Sequence, residues 1–153
     1  MKYIGQNVDG NSTPDIQSNQ WREQYDRWMC EFESIAGRLP KLFLKAFAKH
    51  HFHDNIIESI EVRKVARGAG HKYNLTICME DYHDNSVRHH LVFQDIPGFA
   101  ANISFAGGGC CDWQHCEILP INERRMSFEL MAFSEGTLYF EFSKLKYKRE
   151  RIL

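Results

Sequence analysis

The chain has 153 residues, a length that suits one domain, and 43% of them are hydrophobic. Eleven phenylalanines mean that a packed core needs neither metal nor disulfide support. The formal charge of −1, from 19 basic and 20 acidic residues, excludes a whole-molecule field that would steer nucleic acid or anionic lipid.

The opening residues Met1 to Asn7 lack the apolar stretch of a secretory signal, and no run approaches about 18 consecutive apolar residues. Five cysteines, an odd number, are not spread like a disulfide framework, so reduced thiols in the cytoplasm are expected. Residues 1–12 read as a mobile, polar lead-in.

A helical part follows over 13–51. Thr13-Pro14-Asp15 suits a helix start, with a cap, a first-turn proline and an acid at the positive end of the dipole. Trp21, Tyr25, Trp28, Phe32 and Ile35 step by helical spacing and predict one apolar stripe, more readily core than a ligand box. Gly37 ends that helix. A shorter one opens at Leu39-Pro40, carries Phe43, Phe47 and His50 with Leu42 and Ala46 beside them, and ends near His51.

Over 56–146 the apolar residues alternate instead. Ile56, Ile60 and Val62 mark a first strand, and Tyr73, Leu75, Ile77 and Met79 a second. Leu91 with Phe93, and then Ile103 with Phe105, mark two more. Further strands are expected over 113–119, over 126–133 and around Leu138, Phe140 and Phe142. Short polar turns without intervening helices argue for an antiparallel arrangement. The expected fold is α+β, with N-terminal helices packed on a curved antiparallel meander of about seven strands, in a single domain.

Four segments carry candidate chemistry. His50-His51-Phe52-His53-Asp54 lies at the seam between the two halves. His53 and Asp54 together suit an acid–base pair, or with His51 or His83 a metal-dependent site; the plainer reading is that Asp54 orders the turn while His53 packs at the junction. Cys110, Cys111, His115 and Cys116 invite zinc, but neighbours on an extended chain point to opposite faces, and no paired C-x₂-C is present. A flexible glycine turn feeding a strand is the plainer reading of that segment.

The acid-rich turn Glu80-Asp81-Tyr82-His83-Asp84 could meet a basic partner surface or simply be a solvated hairpin tip. His89-His90 follow on the next strand, one to each face. The basic tail Lys144 to Arg151 could touch phosphates, with Tyr147 stacking on a base, but a strand edge guarded against aggregation is simpler.

Phe52-His53-Asp54, with Ile56 to Ile60 and the strand bearing Leu91-Val92-Phe93, resembles a group of small bacterial proteins that carry a Leu/Phe-His-Asp motif. Some similar proteins are immunity proteins of polymorphic toxin systems. The resemblance implies binding or neutralisation rather than catalysis. The expected function is therefore a non-enzymatic cytoplasmic interaction module, its partner a protein such as a toxin. The competing expectation is a small acid–base or metal-dependent enzyme at His53 and Asp54. No cofactor, membrane or nucleic-acid partner is expected, and homo-oligomerisation is a third possibility.

Overall fold

A computed structural model describes Lys2 and residues 14–67, 70–102, 113–132 and 136–152. The lead-in therefore falls outside the described residues except at Lys2. The backbone N–H of Lys2 donates to Glu117 at 2.8 Å, and its ammonium meets Glu31 at 2.7 Å.

Helix α1 spans Pro14–Ile35 and passes through a short 3-10 turn, Ala36–Arg38, into α2 at Lys41–His50. The aromatic stripe of α1 is graded in burial. Trp28, Phe32 and Ile35 are buried, Tyr25 packs against them, and Trp21 is half exposed, its ring stacked on Tyr25. Helix α2 buries Phe43 and Phe47 but leaves Leu42 67% exposed. It ends at His51, which takes a left-handed conformation and donates its N–H to the Phe47 carbonyl at 2.8 Å.

Among the described residues, eight antiparallel strands form two four-stranded sheets. The first contains β1 (Ile56–Arg67), β2 (Gly70–Asp81), β3 (Asp84–Ile96) and β8 (Lys144–Arg151), in that spatial order. The second orders β4 (Phe99–Asn102), β7 (Thr137–Phe142), β6 (Met126–Ala132) and β5 (Trp113–Pro120). The meander is thus broken three times, after β3, after β4 and after β7. Ser143 pins the return crossing: its N–H donates to the Gln94 carbonyl and its hydroxyl to Asp95.

The core lies between the sheets. Phe93 of β3 meets Phe128, Phe140 and Phe142 of the opposite sheet at ring separations of 4.7, 4.8 and 5.0 Å. Helix α1 packs on β5 and α2 on β8, each the edge of its own sheet.

Of the residues expected to mark β1, Ile60 packs on the core and Val62 is exposed, while Ile57 rather than Ile56 is buried. A bulge between Ile57 and Ser59 shifts the pairing by one residue and puts Ile57 on the face of Ile60. The strand expected at Ile103 and Phe105 lies outside the described residues, and β4 ends just before it. The basic tail is an edge strand, paired along its length with β3.

Candidate functional site

Strand β3 alternates so that Val87, His89, Leu91 and Phe93 all face the core. An imidazole in that row needs partners, because an unpaired buried polar group costs about 1–3 kcal/mol. It has two. Nε2 of His89 lies 2.9 Å from Oδ2 of Asp81, at the end of β2, and Nδ1 lies 2.7 Å from the Tyr147 hydroxyl on β8. The other oxygen of Asp81 accepts the backbone N–H groups of His83 and Asp84 at 2.9 and 3.2 Å.

Burial disfavours ionisation of Asp81. The hydrogen bonds from His89 and from the His83 and Asp84 backbone outweigh it, and the carboxyl is held below its ordinary range. Burial pushes the Tyr147 phenol up to about 12; nearby Arg149 opposes that rise and Asp81 adds to it. At neutral pH the row therefore carries an ionised carboxylate at one end and a protonated phenol at the other.

The row forms one wall of an open pocket of about 580 Å³ between α2 and the β8 side of the first sheet. Its volume lies within the range of small-ligand sites. Leu42, Lys45, Ala46 and Lys49 of α2 form the opposite wall, with His83 and Asp84 of the turn and Arg149 of β8 completing it. Lys45 and Lys49 are one helical turn apart, on a helix that has no acidic residue. Like charges so placed repel by roughly 0.2–0.5 kcal/mol in water. Lys45, Lys49 and Arg149 make no ion pair with any other described residue.

The acidic turn, in contrast, is neutralised from within. Glu80 pairs with Arg88 at 2.7 Å, and the same guanidinium holds Glu58 at 2.7 Å. Asp84 accepts from the Ser86 hydroxyl at 2.6 Å and pairs with Arg151 at 2.9 Å, and these contacts lower its carboxyl to about 2. Asp81 faces His89. Tyr82 and His83, their rings against each other, stand out from the turn. A basic partner would have to compete with Arg88 for Glu80 and with Arg151 for Asp84.

At the seam, the side chains of His53 and Asp54 contact each other at 2.8 Å and are both about two-fifths exposed. His53 lies with its ring 5.4 Å from that of His115. Both line a second groove, about 280 Å³, with Trp21, Tyr25, Trp28, His51, Gln114 and Cys116. Burial first, and then the charge of His53, pull the His115 imidazole below its usual value, with Asp54 opposing. Cys116 is buried, and that burial pushes its thiol far up.

Cys110 and Cys111 lie outside the described residues. Among the described residues no three His, Cys, Asp or Glu side chains gather as metal ligands, and no helix is long and apolar enough to cross a membrane.

The seam backbone joins the two halves. Phe52 and Asp54 have φ of 58° and 68°, the left-handed region that side chains disfavour. The Asp54 N–H donates to the Trp113 carbonyl, and the Trp113 N–H donates to the Asn55 carbonyl. Asn55 is fully buried, and its Oδ1 accepts the N–H of Tyr82 at 3.1 Å, so the seam also fixes the turn beside the pocket.

Asn55, Lys45, Lys49 and the pairing of His89 with Tyr147 were not evident as site features from sequence. The lysine spacing on an acid-free helix was the one available signal. Comparison of the chain with protein-family models, curated proteins and solved structures finds no match.

Proposed function

We propose that the chain is a non-enzymatic cytoplasmic interaction module whose working face is the α2–β8 pocket and its rim, and whose partner is a protein with an acidic surface. One observation carries this reading: three cations without ion-pair partners among the described residues, Lys45, Lys49 and Arg149, surround an open pocket with exposed Leu42 on its wall. Unpaired cations around a concavity favour encounter with a negatively charged surface. The free thiols Cys30, Cys78 and Cys116 suit a reducing compartment. The resemblance at Phe52-His53-Asp54 makes a toxin the first partner to try, with this chain as its neutraliser.

The test is affinity capture with the native chain, with Lys45→Glu/Lys49→Glu and with Glu80→Lys/Asp84→Lys, followed by binding measurements on the purified captured protein. The expected result is loss of binding in the first variant, retention in the second, and an affinity that falls with added salt. Loss only in the second variant would move the interface to the acidic turn.

A second reading, acid–base chemistry at His53 and Asp54, is favoured by their 2.8 Å contact beside the 280 Å³ groove. Turnover of a panel of esters and phosphoesters that His53→Ala abolishes would establish it.

A further inference from the structure

We propose that the α2–β8 pocket is a carboxylate site that takes one glutamate or aspartate side chain of the partner against Tyr147 and Arg149, and that binding takes up a proton at His89. This rests on the α2–β8 face being the partner surface.

Tyr147 and Arg149 are two residues apart on β8, so they project to the same side of the strand. Both line the pocket, with Lys45 and Lys49 facing them from α2. A guanidinium fork matches the planar carboxylate in a bidentate pair. Three cations line the pocket against two carboxylates, Asp81 and Asp84. Asp81 and Asp84 repel a phosphate dianion more strongly than a singly charged carboxylate.

The proton follows from the hydrogen bonds. Asp81 is an acceptor on both oxygens, so the His89 nitrogen facing it carries hydrogen. In a neutral ring the other nitrogen can then only accept, and it takes the Tyr147 O–H. In that state the phenol has no hydrogen left to give a carboxylate. With His89 protonated, its Nδ1–H donates to the phenol oxygen and the Tyr147 O–H turns to the ligand.

The groups around His89 fit such a change. Asp81, His83 and Asp84 come from the turn, Lys45 and Lys49 from α2, and Tyr147 and Arg149 from β8, while the uncharged ring of Phe52 packs beside the imidazole. Asp81 favours the imidazolium and the three cations oppose it. An arriving carboxylate shifts that balance toward protonation.

The experiment titrates the full chain with N-acetylglutamate amide or with inorganic phosphate at fixed ionic strength, following Tyr147 and Arg149 side-chain signals by NMR. The glutamate probe is expected to saturate these signals, with affinity rising as pH falls, by up to about tenfold per pH unit for coupling to one proton. Tyr147→Phe and, separately, Arg149→Gln are expected to weaken it about tenfold, the loss of one hydrogen bond to a charged group.

No saturable shift, pH-independent affinity, or tighter binding of phosphate overturns the carboxylate assignment. If Lys45→Glu/Lys49→Glu leaves partner capture intact, the α2–β8 reading itself fails. If capture is lost there but Tyr147→Phe and Arg149→Gln change nothing, only the carboxylate assignment fails.

Discussion

The ring of Phe52 lies 5.1 Å from the imidazole of His89, so the seam between helices and strands packs directly on the polar row that walls the pocket. Phe52 also meets Phe43, Phe47, Trp113 and Tyr147, drawn from α2, β5 and β8. One fully buried side chain thus joins both helical and strand halves.

Phe52→Ala is therefore expected to cost about 3–5 kcal/mol, the range for a buried aromatic that leaves a cavity. Urea unfolding at constant m-value measures it. Because the cavity adjoins His89 and Tyr147, the side-chain signals of both are expected to move as well. A loss under 1.5 kcal/mol, within the range of a tolerated core swap, would mean that the seam is not a packing centre.

Much of the scaffold was legible because it rests on periodicity. The helical stripe ending at Ile35 and the alternation of Leu75, Ile77 and Met79 appear where the spacing puts them. What sequence could not supply were distances between elements. Tyr147 and His89 are 58 positions apart in the chain, and only the pairing of β8 beside β3 brings them together. The acidic turn shows the same limit: composition gives the carboxylates, but not Arg88 and Arg151 opposite them. The β1 bulge changed the inward face without leaving a glycine or proline as a mark.

Acid is expected to destabilise the fold through the turn. Asp84 titrates near 2 because the Ser86 hydroxyl and then Arg151 favour its charged form, and Asp81 is also held low. With folded values below unfolded ones, the unfolded chain takes up protons first as pH falls. The stabilisation is complete above the unfolded carboxylate range of about 4 and is lost as pH falls towards about 2. Asp84→Asn should flatten the stability curve in that window, read by urea midpoints at successive pH values.

Alkali acts on Tyr147. Its phenol is raised to about 12 in the folded chain, chiefly by burial, against about 10 when unfolded. Here the stabilisation is full below the unfolded value and is lost as pH rises through the folded one. Stability should fall between about pH 10 and 12, and tyrosinate absorbance should show a late phenol that Tyr147→Phe removes, beside Tyr25 and Tyr139, which burial also raises.

At Asp54 the backbone and the side chain can be separated. Its carboxylate meets His53 at 2.8 Å, but both groups are about two-fifths exposed, and exposed pairs are worth about 0–1 kcal/mol. Its φ of 68° lies where a Cβ costs roughly 1–2 kcal/mol and glycine has no such penalty. Asp54→Ala loses the pair and keeps the Cβ penalty. It also loses a side chain of the type that best tolerates this conformation, so about 1 kcal/mol of destabilisation is expected. Asp54→Gly also loses the pair, but relief of the backbone offsets the greater freedom of the unfolded chain, and stability should stay within about 0.5 kcal/mol of the native chain. Thermal and urea unfolding of the two variants decide the matter. Equal losses would show that the His53 contact, and not the left-handed turn, fixes Asp54 at the seam.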